Sequence, residues 1–359
     1  MRIAFLHSCG FTQKDLKKLH VLGYDFDLQF DSLREGKGIA MPWITEERKI
    51  KISESSKKIS FENLEKVIEE KNIKILLQSD LEYPKRLQTI KQSPFILYVR
   101  GNIEEKKLTL GIVGSRKSTS YGKKVLEHII PSIISVNAAI VSGGAFGIDS
   151  LSHQIALQYG GYTLSVFGCG VDVYYPPQNE VLFDSILRNN GALVSIFPIG
   201  TLPEPYNFPI RNEIVAALSD GIIIAEAGLK SGTLITAGLA LEHGRDVFAI
   251  PGDIFRETSS GTNMLIATGQ AKAVQGPEGI LEEYFPTLSQ TELPTNREKE
   301  FDTSEQKDIY TAIQNGFDTP DILQTNTQFP ITTITMTLSL LEIEGHIELG
   351  KNGKYQILS

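Results

Sequence analysis

Leu110-Gly-Ile-Val-Gly-Ser-Arg-Lys117 carries an apolar run directly into a small-residue turn, and the pattern recurs further along the chain. The other turns are Ser142-Gly143-Gly144, Gly168-Cys169-Gly170 and the stretch from Glu226 through Ser231-Gly232-Thr233, each at the end of its own apolar run. Short β-branched segments over Leu110–Val113, Ala139–Val141, Thr163–Phe167, Ala192–Ile196, Ile222–Ala225 and Val247–Ile250 read as buried strands, and helical patterns separate most of them. Alternation at this spacing predicts an α/β fold with a parallel, doubly wound sheet covered on both faces. The carboxyl ends of such strands share one edge. Four glycine-rich turns therefore converge on a single surface rimmed by helix N-termini, which suits phosphate.

The chain has 359 residues, 41% of them hydrophobic, enough for one large core and one or two small domains. Its two cysteines, Cys9 and Cys169, form no CxxC pair and give no zinc framework, so a reducing, cytoplasmic setting is expected. The N-terminus turns polar too early for a signal peptide, and no apolar run approaches the roughly 20 residues needed to span a bilayer. A formal charge of -8 excludes a protein coated in basic residues but leaves room for a local basic groove.

Residues 1–80 read as a small helical domain, with Ser60 as an N-cap before Phe61, Leu64, Val67 and Ile68 on one helix face. Its first half is poorly periodic. Residues 81–285 form the α/β core, 286–300 a polar linker, and 301–359 a second small domain. In the latter, two short helices, a third over Thr332–Glu344 and a hairpin turning at Asn352-Gly353 give the order of a winged helix-turn-helix.

In the first turn, the backbone N–H groups of Gly114 to Lys117 and the Ser115 hydroxyl can face an anion, with Arg116 and Lys117 supplying charge. The turn Ser142-Gly143-Gly144-Ala-Phe-Gly147 concentrates glycine where either a phosphate or the next helix must come close. Asp149 can cap that helix, and His153 on it reads as structural. Lys230, Ser231, Gly232 and Thr233 open another helix but lack the GxxxxGK[ST] order of a nucleotide P-loop, and no turn has the full GxGxxG spacing. Neither ATP hydrolysis nor a dinucleotide cofactor is indicated, nor is a metal. Phe208, Arg211 and Asn212 place an aromatic ring beside a guanidinium, able to stack a base and hold its phosphate. The alternatives are a core Phe208 and an Arg211 paired with a carboxylate such as Glu226.

Taken in order, these segments resemble the DNA-processing protein A (DprA/Smf) family. The resemblance rests on Tyr83-Pro84, Leu97-Tyr98, Ile112-Val-Gly-Ser-Arg116, Ser142-Gly-Gly-Ala-x-Gly-Ile-Asp149 with His153, and Tyr175-Pro176. It continues through Phe208-Pro-x-Arg-Asn212, Ser231-Gly-Thr-Leu-x-Thr-Ala237, Pro251-Gly252 and Ser260-Gly-Thr-Asn263. It implies an extended Rossmann-like domain that binds single-stranded DNA, protects incoming strands and helps load the RecA recombinase in natural transformation, without catalysis. Homodimerisation through that domain, a sterile-alpha-motif-like N-terminal domain and a C-terminal winged helix are also implied. By position, Gly114 to Lys117 and the Ser142 to Gly147 turn would hold phosphates, with Phe208 and Arg211 near bases or backbone. Ile210 and Glu213 stand where the family often has basic residues, Phe146 where arginine is frequent, and Ile196 where a glutamate is usual.

Two other readings compete. A Rossmann-like nucleotide phosphoribohydrolase of the lysine-decarboxylase-like group also uses a Gly-Thr turn at a helix start, with Glu226 and Glu242 as candidate carboxylates. A duplex-DNA regulator would act through the winged helix, yet Thr332–Leu340 has no Lys or Arg.

Overall fold

The computed structural model describes residues 1–37, 39, 41–286, 303–314, 317–327, 329–350 and 353–357. They fall into two compact units, Met1–Pro294 and Thr295–Ser359. In the first, strands β1 (Ile73–Leu77), β2 (Ile96–Gly101), β3 (Thr109–Val113), β4 (Ala139–Ser142), β5 (Thr163–Val166), β6 (Ala192–Ser195), β7 (Gly221–Ile224), β8 (Asp246–Ala249) and β9 (Lys272–Ala273) make one sheet. Its order is β1-β2-β6-β5-β4-β3-β7-β8-β9. From β6 to β9 every pairing is parallel. Side chains alternate between the faces: Leu110, Ile112, Ile140 and Ile223 pack on one, Val113, Val141, Leu164 and Ile224 on the other. Apolar residues at both parities are what a sheet covered on both faces requires.

The edge departs from the sequence reading. Strand β2 runs antiparallel to β6, and β1 runs antiparallel to β2, with Ile73 opposite Arg100 and Leu77 opposite Ile96. Residues 73–77 of the expected helical domain thus belong to the sheet. Only Lys71 and Asn72 separate β1 from the preceding helix, and Asn72 makes the reversal in the left-handed region at φ 48. A break that short, without glycine or proline, blends the strand into the helical pattern before it.

Helices over Arg2–Ser8, Gln13–Val21, Phe26–Arg34, Glu46–Lys58 and Phe61–Glu70 precede β1. Thr12 and Asp15 form a reciprocal capping box, and Ser60 Oγ accepts from Asn63 N at 3.1 Å. Phe5, Leu16, Leu64 and Ile68 share one apolar cluster with Tyr98, Phe167 and Phe183, so the helical layer and the sheet edge have a common core. Gln13 fixes them in register. Its Nε2 donates to Ile96 O (3.1 Å) and Ile196 O (2.8 Å), while its Oε1 accepts from Phe95 N (3.0 Å) and Ile96 N (2.8 Å). His7 lies buried against Tyr98, with Nδ1 2.9 Å from the phenol oxygen and the two rings parallel.

The second unit holds helices Ser304–Gln314, Pro320–Thr327 and Ile331–Ile343, then β10 (Ile347–Leu349) antiparallel to β11 (Tyr355–Ile357). Ile309, Leu323, Ile334, Leu338, Leu341 and Ile347 form its core. Most of the expected linker, and Asn352 of the expected hairpin turn, lie outside the described residues.

Replacing Gln13 with Leu strands backbone groups of β2 and β6, and we expect a loss of about 2 kcal/mol in urea denaturation. Acid should act on the same contact. Burial lowers the His7 pKa to about 4 from an ordinary 6.5. The unfolded chain then binds the proton first, so stability is full above pH 6.5 and falls as the pH drops toward 4. Denaturation midpoints at pH 7 and pH 5 should differ by up to about 2 kcal/mol per buried histidine, and His7→Gln should shrink the difference.

Candidate nucleic-acid interface

Strand β3 lies between β4 and β7. From β3 the chain winds outward through β4, β5 and β6, whereas β7 leads the other way through β8 and β9. The order reverses between β3 and β7, and a doubly wound sheet opens its crevice at the carboxyl ends of such a pair. There Ser115 N donates to Glu226 O at 2.8 Å, joining the turn after β3 to the turn after β7.

A cleft of 840 Å³ opens over this junction. The first turn contributes Gly114, Ser115, Arg116 and Lys117; the helix Asn207–Leu218 contributes Phe208, Arg211 and Asn212; the β7 turn contributes Lys230, Ser231, Gly232 and Thr233. These expected residues therefore meet in one place. Several hydroxyls are already engaged. Ser115 Oγ accepts from Lys117 N and donates to Lys117 O, both at 3.1 Å, closing its own turn. Ser231 caps the helix Gly232–Glu242, accepting from Thr233 N at 3.2 Å. The exposed Arg116, Lys117 and Lys230 form no ion pair among the described residues.

The Ser142–Gly147 turn is placed otherwise. Ser142, Gly143 and Gly144 are buried, Ser142 Oγ donating to Ile112 O at 2.7 Å. A Cβ on Gly143 would lie 1.4 Å from Arg211 Nη1, and one on Gly144 would meet Ser165 and Phe183. Gly147, at φ 76, backs onto the first turn: a Cβ there would stand 2.2 Å from Ser115 O. None of these four lines the cleft. Their glycines admit other parts of the protein, neither the phosphate nor the following helix of the sequence reading but Arg211, Ser165, Phe183 and the backbone of the first turn.

Arg211 is 5% exposed at the cleft floor. Its Nη1 donates to Val166 O at 3.2 Å and lies 4.0 Å from Asp149 Oδ2, while Nε has no partner. Asp149, not Glu226, is its carboxylate. Asp149 does not cap its helix with a side-chain bond: Gly147 is the N-cap, and Asp149 Oδ2 accepts from Gly143 N at 3.2 Å. Burial raises the Asp149 pKa and lowers that of Arg211, so desolvation outweighs their attraction. The guanidinium still keeps its proton. Glu226 is occupied elsewhere, accepting from Thr119 N (2.9 Å) and Thr119 Oγ1 (2.5 Å). His153 is fully buried, its Nδ1 2.6 Å from Thr163 Oγ1, and burial followed by the Arg211 charge lowers its pKa to about 3. It is too weak a base for proton transfer at neutral pH.

Phe208 stands at the centre. The guanidiniums of Arg116 and Arg211 lie over its ring at 5.5 and 5.8 Å, and the Tyr175 ring packs beside it at 5.7 Å. Gly168 of the third turn makes room, since a Cβ there would meet Phe208 at 3.0 Å. Around the cleft, Arg116, Lys117, Arg211 and Lys230 face only Asp149 and Glu257, so its sign is positive on a chain of formal charge -8. Among the described residues no cluster of His, Cys, Asp or Glu can hold a metal ion.

Residues 74–285 match the family model described as DNA recombination-mediator protein A. The chain belongs to the DNA-processing protein A family. It is 42% identical over 203 residues to DNA processing protein DprA of Streptococcus pneumoniae, covering 56% of this chain and 71% of that one. With DprA of Bacillus subtilis it shares 39% identity over 216 residues, 60% of this chain and 72% of the relative. The solved S. pneumoniae DprA structure superimposes with a TM-score of 0.64 at 35% identity, over 78% of this chain and 96% of that one. A Helicobacter pylori DNA processing protein A structure, described for its single-stranded DNA binding mode, gives 0.55 at 30% identity over 60% and 97%.

For a DNA-processing protein A, the cleft holds more than the motif residues forecast. Tyr175, Glu257 and Thr258 also line it. Tyr175 stands five residues after Gly170 of the third glycine turn and Glu257 five residues after Pro251-Gly252, so both had a nearby signal in the small residues at this edge. Gly147→Ala tests the structural reading of the second turn. Strained φ and backbone overlap with Ser115 should cost about 2–4 kcal/mol in thermal or urea denaturation, whereas a surface glycine would change little.

Proposed function

We propose that the chain binds single-stranded DNA without base-sequence preference through this cleft, and does no covalent chemistry. The observation that carries the reading is the grouping of Arg116, Lys117 and Lys230, exposed and in no ion pair among the described residues, around Phe208 and Tyr175 at the reversal point of the sheet. Cations track the backbone phosphates, and an aromatic ring accepts a base of any identity. Arg211 reinforces the potential from below. The relationship to DprA of S. pneumoniae and B. subtilis, and the H. pylori structure described by its strand binding, support the same reading.

Family membership supports a wider reading, in which the chain is a cytoplasmic homodimer of natural transformation that protects incoming strands and helps load RecA. The three helices and hairpin of the second unit support reading it as a winged helix. The absence of Lys and Arg from Thr332–Leu340 favours protein contact there over duplex reading.

Nucleotide hydrolysis is less well supported. Glu226 is held by Thr119, and Glu242 sits exposed at the far end of its helix, so neither candidate carboxylate lines the cleft.

Anisotropy of labelled oligo-dT across a salt series, with duplex competitor, tests the proposal. Binding should weaken with salt, resist duplex, and in Arg116→Ala show a log–log salt slope smaller by about 0.7, one phosphate contact on a single strand. Absence of strand binding at low salt overturns it.

A further inference from the structure

Both cations over Phe208 act on one ring, but they differ in freedom. Arg211 is buried and tied to Val166 O and Asp149, so it stays. Arg116 is exposed, forms no ion pair among the described residues, and approaches from the solvent side. Its backbone is fixed, because Ser115 N donates to Glu226 O, Ile148 N donates to Ser115 O at 3.1 Å, and Lys117 N donates to Ser115 Oγ. Only the side chain can swing. Tyr175 packs beside the half-buried ring, and of the two cations over it the exposed Arg116 is the one an incoming group can replace.

We propose that in the free protein Arg116 occupies the stacking position on Phe208, and that a nucleobase displaces it onto the adjacent phosphate. The inference rests on the strand-binding reading above and adds a specificity step to it. An exposed cation–π contact is weaker than a base–aromatic stack, so exchange favours the base. The released guanidinium then gains a phosphate partner. A strand lacking a base at that position offers the phosphate without the stack and leaves Arg116 divided between the two. Arg116 thus serves as both placeholder and phosphate clamp, and by filling the ring when a base is missing it softens the loss of binding to an abasic strand.

Two measurements test this with separable failures. The first needs no DNA. In Phe208→Trp, the new tryptophan is read by acrylamide quenching, with the otherwise unsubstituted protein, whose single tryptophan is Trp43, as background. Adding Arg116→Ala should raise the quenching constant; no change overturns the occupancy while leaving strand binding untouched. The second compares a dT strand with one carrying abasic sites, against wild type and Arg116→Ala. Because the base no longer has to displace a cation, the abasic penalty should be about two- to fivefold larger in Arg116→Ala. Equal penalties overturn the displacement, and no binding of either strand by wild type overturns both this inference and the function beneath it.

Discussion

The adjacency of β3 and β7 is the constraint from which the site follows. Parallel neighbours separated by so much chain must be wound outward in opposite directions, and their turns cannot be covered by the same crossover helix. The gap is closed at its base by backbone bonds from Ala225 N to Val113 O and from Ser115 N to Glu226 O. Every other close approach at the edge is subordinate to them. Gly147 must lack a Cβ for the next turn to pass behind Ser115, and Gly143 must lack one for Arg211 to reach under the floor. Glycine is spent on packing one turn beneath another, and the cleft is what remains above.

A buried guanidinium is an expensive way to make that floor positive. Its attraction to Asp149 at 4.0 Å does not offset desolvation, and one nitrogen is left without a partner. Replacement by a hydrophobic residue would serve stability better. The charge makes sense if the compensation arrives with a ligand, since an anion above the floor meets a cation that has already lost its water and cannot be reoriented. The exposed Arg116 has the opposite character, open to solvent. A fixed cation and a movable one on the same ring divide the work between holding potential and making contact.

Strands β3 to β8 were legible because buried parallel strands appear as short apolar runs, and β3, β4, β5 and β7 lead into small-residue turns as well. The convergence of the first and last turns with Phe208 was legible for the same reason: in a parallel sheet, sequence position at a strand end is spatial position at one edge. The Ser142–Gly147 turn was ambiguous because glycine admits phosphate and protein backbone alike. The partner of Arg211 was not legible either. Asp149 and Glu226 both come after strands of this edge, and what selects between them is tertiary: Glu226 is taken by Thr119, while Asp149 lies 4.0 Å from Arg211. Strand β1 escaped notice because it follows a helix of the same apolar composition across two residues.

In the proposed strand binding, selectivity for single strands would follow from how few charges are in play. A chain of formal charge -8 gives nucleic acid no net attraction at distances near the Debye length of about 8 Å, whereas the cleft itself is lined by an excess of cations. A duplex offers dense phosphate but hides its base faces, and its stiffness keeps most of it outside an 840 Å³ cleft, facing the acidic remainder of the surface. A single strand can bend so that its phosphates meet Arg116, Lys117 and Lys230 while one base reaches Phe208. Coulombic attraction alone would favour the duplex; the stacking ring and the confinement of positive charge reverse that order.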